Sequence, residues 1–365
     1  MNFSTNRVKY VCAPKSTVAK IVLIDGGFFV GKFAKHWSPK GRLQRAFRKL
    51  KRGKMRRESF YKFCRKVVHQ DLNYLTMRFT QMGCNPKDGS QVYLCYDGVQ
   101  GRNDRGKVFP EYKSNRATDV ENYDAGTHVS HDLRADLTNM GFDPMNIRKK
   151  WTCLYEDTKE ADDLIAEMVA NADPKDEIFI FSADSDLYQL YYQQPNVRFH
   201  NFVMETDMDA MKIKSGVEWE LYADWKALAG DTSDNIPGLR GIGPTTAAQL
   251  INDYGSLEQI PIEHYQQWRV VNLENTSQVL LDWRADKDKT IEYCVRKFGV
   301  PWKRIEHQVD TLLAPNQYQK LREVLDEDHF EVTNVRHDIL NYRSIIKLPI
   351  KPVTHYYSEE VMRNL

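Results

Sequence analysis

Apolar residues cluster in short runs that end in acids. Lys20-Ile-Val-Leu-Ile-Asp25, Gln91-Val-Tyr-Leu-Cys-Tyr-Asp97 and Ile178–Phe181 followed by Ser182-Ala-Asp184-Ser-Asp186 are each too short for a helix and too apolar for an exposed strand. They read as strands buried on both faces, the signature of a mostly parallel sheet. Between them helical spacing predicts helices over Glu58–Phe79, His131–Met140 and Leu164–Val169, and strands over Arg148–Tyr155 and Val197–Phe202. Met211-Lys-Ile-Lys214 reads as a short edge strand, and Lys113 and Arg116, at i and i+3, as one side of a helix beginning after Pro110. Further on, Gln278–Lys289 reads as a short segment, and Thr290–Phe298 and Gln317–Leu325 as helices.

This is an α/β pattern: a central mostly parallel sheet flanked by helices, then a helical subdomain. The expected divisions are an α/β core over 1–215, a helical part over 216–300 and a C-terminal extension over 301–365. The core would carry a basic insertion at about 31–66 and a segment at about 98–140 inserted after the second strand.

Three strands that each deliver an acid at the carboxyl end argue for one shared site, because that edge of an open α/β sheet is where ligands bind. Glu160-Ala-Asp162-Asp163 adds acids at the start of a helix, and they could converge only if the helix begins inside that motif or if some of them act through water. So many carboxylates held together need cations, and oxygen ligands without Cys or His partners favour Mg²⁺ or Mn²⁺.

Charge sharpens the picture. Of the 365 residues, 41% are hydrophobic and the formal net charge is only +2, yet Gly31–Lys66 holds fifteen Lys and Arg against Glu58 alone. That segment carries +14, so the rest of the chain carries −12. A basic surface with an acidic pocket suits an enzyme acting on phosphodiesters, and Arg45, Arg48, Arg52 and Arg56 are candidate backbone contacts. Arg102, Arg105, Tyr112, Lys113 and Arg116 would similarly grip a phosphate beside a stacked base. After the acids Asp231 and Asp234, the turn Gly241-Ile242-Gly243 opens a helix with Thr245 and Thr246, whose free N–H groups suit a phosphate. The six cysteines form no C-x-x-C pair, and residues 1–20 lack a signal-peptide core, so a reducing cytoplasm is expected, with no membrane role.

Ile24-Asp-Gly26, Tyr96-Asp97, Pro110–Arg116, Glu160–Asp163, Ser182–Asp186, Gly230–Asn235 and Gly241–Gly243 resemble, in order, the motifs of the flap endonuclease and 5′-nuclease family, phage members most closely. The resemblance implies a structure-selective, metal-dependent 5′-3′ exonuclease or flap endonuclease, with RNase H activity on RNA–DNA hybrids as well as cleavage of DNA. By the same resemblance, Asp25, Asp97, Glu160 and Asp162 would surround one Mg²⁺ (or Mn²⁺), and Asp184, Asp186 and Asp231 a second. Asp163 and Asp234 would act directly or through water, Lys113 and Arg116 would hold the scissile phosphate, and Gly241–Gly243 would form a helix-three-turn-helix with a K⁺ ion. The implied partners are nicked or branched DNA, 5′ flaps, RNA–DNA hybrids, and a polymerase or single-strand-binding protein, met by a monomer. A non-catalytic DNA-binding protein on the same fold, or an RNA-directed relative, stays open. The basic insertion and the stretch after about residue 300 depart from the family pattern.

Overall fold

The structure is a computed structural model, and it describes residues 18–28, 41–84, 89–98, 100–115, 151–194, 196–201, 204–272, 312–322 and 325–348. The expected helices at His131–Met140 and Thr290–Phe298, the segment Gln278–Lys289, and Arg116 lie outside these residues. The chain forms two compact units, Met1–Arg102 with Thr118–Asp207, and Asn103–Ala117 with Met208–Leu365.

In chain order the described elements begin with β1 (Lys20–Asp25), α1 (Arg42–Lys51), α2 (Arg57–Gln81), β2 (Gln91–Tyr96), α3 (Asn103–Val108), β3 (Trp151–Tyr155), α4 (Ala161–Ala170), β4 (Glu177–Phe181) and β5 (Val197–His200). All but α3 belong to the first unit. Its five strands pair in parallel in the order β3-β2-β1-β4-β5. The strand order reverses between β1 and β4, which makes their carboxyl ends the switch point of the sheet.

Side chains alternate across each strand. Val22, Ile24, Val92, Leu94, Phe179 and Phe181 share one core with Phe60, Val67, Leu75 and Phe79 of α2. α4 packs on β1, β2 and β3, burying Ile165, Ala166 and Val169 completely, and none of its residues joins the α2 core. Each of the larger of these side chains contributes about 1.5–3 kcal/mol by leaving water. Helix α1 is absent from the expected elements, although its Leu43, Ala46, Phe47 and Leu50 follow helical spacing; Leu43 and Ala46 dock on the α2 side of the core, and Phe47 meets Phe60 at 5.9 Å.

The second unit continues with α5 (Met208–Ser215), α6 (Tyr222–Ala229), α7 (Pro244–Tyr254), β6 (Gln266–Val270), β7 (Leu312–Leu313), α8 (Pro315–Arg322), β8 (Phe330–Asn334) and α9 (Arg336–Ile346). Met211–Lys214 is therefore helical, not an edge strand. Met208 and Ser215 at its two ends are the buried positions, and the intervening Ile213 is exposed. Helix α6 packs against both α7 and α9. β6 pairs antiparallel with β7 and β8, so this small sheet draws on both sides of residue 301. Trp268 and Tyr318 stack over it at 3.5 Å. No helix among the described residues is long and apolar enough to cross a membrane.

Candidate metal centre

At the switch point the strands run out of apolar residues and deliver oxygen. Ile24 of β1 is level with Phe181 of β4, so Asp25 and Ser182 emerge side by side. The Ser182 hydroxyl donates to Asp25 Oδ2 at 2.7 Å, and the Phe28 N–H donates to Oδ1 at 3.2 Å. Burial pushes the Asp25 carboxyl up to about 6, these two hydrogen bonds oppose the rise, and the charges of Asp97 and Asp184 add to it. Three carboxylates from three adjacent strand ends therefore repel one another across one edge. Gly26 permits the approach: a Cβ there would lie 2.6 Å from the Cys95 carbonyl of β2.

Asp97 Oδ1 accepts the Ala161 N–H at 2.8 Å, tying β2 to the first turn of α4. The neighbouring Gly98 packs so tightly that a Cβ would fall 2.1 Å from the Glu156 carbonyl oxygen. Helix α4 starts at Ala161 with Glu160 as its N-cap, so it does begin inside the Glu160–Asp163 motif. Glu160 is buried, with Arg102 Nε 3.6 Å from its carboxylate. Asp162 is half-buried in the first turn. Asp163 departs from the ligand reading in one respect: its Oδ2 accepts the Glu160 N–H at 3.0 Å, so that oxygen closes the helix start. Beyond β4, Asp184 Oδ1 accepts the Asp186 N–H at 2.9 Å and caps the 3₁₀ turn Ser185–Tyr192, in which Asp186 is buried.

The second unit builds its own carboxylate loop. Asp231 and Ile236 exchange backbone hydrogen bonds of 2.8 Å each way, folding Gly230–Asn235 into a tight turn. Asp231 Oδ1 accepts the Ser233 N–H and hydroxyl at 2.8 and 2.6 Å, while the buried Lys226 ammonium grips Oδ2. Burial alone would raise this carboxyl, but Lys226 and Ser233 outweigh it and hold it below the usual range. Lys226 is absent from the sequence candidates; its place one helical turn and a bend before Asp231 is the signal that could have found it.

The segment after Pro110 is a series of turns, not a helix. Lys113 takes a positive φ of 54°, its N–H donates to the Asp234 carbonyl at 2.9 Å, and its Nζ lies 3.9 Å from Asp234 Oδ1. Asn115 donates to the Thr232 carbonyl at 2.6 Å, and Asn235 to the Glu111 carbonyl at 2.9 Å. Two motifs some hundred residues apart in sequence are thus one piece of structure. Two expected contacts fail here. Arg105 is buried and donates to the Ile345 carbonyl of α9 at 3.1 Å, so its guanidinium serves packing rather than an external phosphate. Tyr112 is buried with Arg105 and Lys113 over its ring, which leaves no face for a base. Arg102, by contrast, is exposed.

Gly241, with φ 82°, and Gly243 are exposed at the entry to α7, with Gly243 as N-cap and Pro244 in the first turn. Trp225 donates to the Pro244 carbonyl at 2.9 Å, and Thr245 and Thr246 are exposed beside it. Family models for the 5′-3′ exonuclease match both parts of the chain: the N-terminal resolvase-like domain over residues 43–218 and the C-terminal SAM fold over 217–284. The chain belongs to the 5′-3′ exonuclease family. The family assignment agrees with the central parallel sheet and the helical second part described above. DNA polymerase I of Deinococcus radiodurans is 36% identical over 157 residues, which is 43% of this chain but 15% of that protein. The thermostable DNA polymerase I of Thermus thermophilus is 32% identical over 182 residues, 50% of this chain and 20% of the polymerase. The matched stretch is a fifth or less of each of these relatives. The T5 5′-exonuclease, solved with divalent zinc bound, shares the fold at a TM-score of 0.51 and 16% identity, over 94% of this chain and 96% of that one.

Proposed function

We propose that this chain is a divalent-metal-dependent 5′ nuclease, a 5′-3′ exonuclease and flap endonuclease that removes primers and flaps during replication. The observation that carries the reading is the convergence of Asp25, Asp97 and Asp184 from the ends of β1, β2 and β4, where their mutual charge raises the Asp25 carboxyl. Carboxylates crowded without Lys or Arg between them hinder binding to phosphate unless cations join them. Asp25, Asp97, Glu160, Asp162, Asp184 and Asp186 are the proposed ligands of the first unit, and Asp231 and Asp234 those of the second. An all-oxygen donor set fits Mg²⁺ or Mn²⁺. When bound, such ions supply an activated water and neutralise charge in phosphodiester hydrolysis.

The protein's own part is positioning. Ser182 orients Asp25, Asp97 fixes the start of α4, and Lys226 with Ser233 sets both oxygens of Asp231. Lys113 is proposed to neutralise the phosphate at which charge develops, joined by Arg116. Gly241–Gly243, Thr245 and Thr246 are proposed to hold duplex backbone at the helix entry, with K⁺ as a further ligand there. The proposed substrates are 5′ flaps, nicked duplexes and RNA–DNA hybrids, and the products a 5′-phosphate and a 3′-hydroxyl.

Product mapping on a 5′-labelled flap tests this directly. Wild type should cut with Mg²⁺ and not with EDTA, whereas Asp184→Asn should bind the flap in EDTA and fail to cut it with Mg²⁺. Near-normal turnover by Asp184→Asn at saturating Mg²⁺ would sink the metal assignment. Flaps of one sequence made as DNA and as RNA separate the flap nuclease from an RNA-directed one.

A further inference from the structure

We propose that α1 and the first turns of α2 form a separate binding surface for duplex nucleic acid, which they hold by its phosphate backbone alone. Between Arg42 and Lys66 ten Lys and Arg side chains are exposed, against the single exposed acid Glu58. Among the described residues none of the ten is paired with a carboxylate. A merely solvated face carries mixed signs, because like charges on one helix face repel.

Helix chemistry explains only part of the pattern. Arg48, Lys49 and Lys51 in the last turn of α1 suit the negative end of its dipole. Arg42 and Arg45 lie at the opposite, positive end, where Gly41 gives no side-chain cap and no acid is present in the first turn. Cations there oppose the dipole and weaken the helix. An external polyanion supplies what the helix itself does not.

The mount is rigid. Leu43 and Ala46 are buried on the inner side of α1, Phe47 meets Phe60, and Arg42 reaches Gln70 of α2 at 3.2 Å. Ten residues of helix extend about 15 Å, and a duplex presents about nine phosphate charges over that length at ~1.7 Å each. Phe60 is buried and Phe47 and Phe63 are half-buried, so these rings offer bases no open stacking platform. Single-strand binding surfaces rely on such platforms, which favours the duplex.

The identity of the polyanion rests on the nuclease reading above; the surface does not depend on the metal ligands. The test measures binding of the full chain to a covalently closed circular DNA duplex in EDTA, which offers no end, nick or flap and allows no cleavage. Arg42→Gln/Arg45→Gln/Arg48→Gln/Arg52→Gln should flatten the plot of log K against log salt by about 3–4 units, at ~0.9 per lost contact. Arg→Lys at the same four positions should retain the slope, which a structural role would not explain. Lys62→Gln/Lys66→Gln on α2 should flatten it by about 2 units, an independent arm should α1 fail to fold in the first variant. An unchanged slope in the Gln variants overturns the proposal. So does a loss on circular single-stranded DNA at least as large as on the duplex. Failure of Mg²⁺-dependent flap cleavage would instead strike the nuclease reading, since no cleavage enters this measurement.

Discussion

Single residues carry the most direct pH consequences, and two of them pull in opposite directions. Asp25 has its carboxyl raised to about 6 by burial and by Asp97 and Asp184, so the metal-free fold takes up its proton before the unfolded chain does. Its contribution to stability is full below the unfolded value near 3.8 and is lost as pH rises through about 6. His200 does the reverse. Its ring is buried against Phe181 at 5.3 Å with both nitrogens unpartnered among the described residues, and burial, then Arg78 and Arg198, lower it to about 4. Stability from His200 is present above its unfolded value of 6.5 and is lost as pH falls through about 4. Urea titrations across this range should show His200→Phe losing less stability on acidification than wild type, by on the order of 3 kcal/mol, and Asp25→Asn losing more. Equal pH dependence in all three proteins would contradict both assignments. Lys113 makes a different prediction: Lys113→Ala should slow single-turnover cleavage by about 2.7–4 kcal/mol of barrier while changing flap affinity far less. An effect on affinity alone would make Lys113 an ordinary phosphate contact. Such roles were partly legible: acids at strand ends are visible in a string of letters, whereas Arg105 finds its buried partner in α9, more than two hundred residues away.

Elements show why some of the sequence reading failed. Buried parallel strands announce themselves as apolar runs, so β1, β2, β3, β4 and β5 lie at or within a few residues of where the pattern puts them. Helix α1 does carry Leu43, Ala46, Phe47 and Leu50 at helical spacing, a signal masked by the basic residues around it, whereas α5, eight residues with two buried ends, gives little 3.6-residue periodicity. Turn glycines were visible as punctuation but not in their reason. Gly238 has φ 67° and a Cβ there would lie 2.4 Å from the Gly230 nitrogen, whereas Gly243, with φ −87°, has nothing within 4 Å. Gly238→Ala should therefore lower the thermal midpoint, at a cost of about 2 kcal/mol or more, and Gly243→Ala, which loses only an N-cap glycine, should lower it less. Calorimetric scans of the two variants check the pair, and equal midpoints would remove the steric argument for the Gly230–Gly238 loop.

At the scale of the whole molecule, the first unit's sheet and a helical part after it were foreseeable, but α5, α9 and the membership of residues 103–117 were not. That short stretch contributes Arg105 to Ile345, Phe109 to Tyr342 at 5.1 Å, and Lys113 to Asp234, all within the second unit. Sequence distance hides such contacts, since no local pattern in Asn103–Ala117 says which later helix receives it. A fragment beginning at Met208 should accordingly be less stable alone than with a synthetic peptide of residues 103–117 added, and a thermal shift on mixing would register the gain; no shift would mean that the stretch is dispensable. The same discontinuity has a consequence for synthesis. A ribosome completes residues 103–117 more than two hundred codons before it reaches Ile345. The nascent chain must carry Arg105 and Phe109 without their partners for all of that interval, so the second unit closes only after α9 has been made.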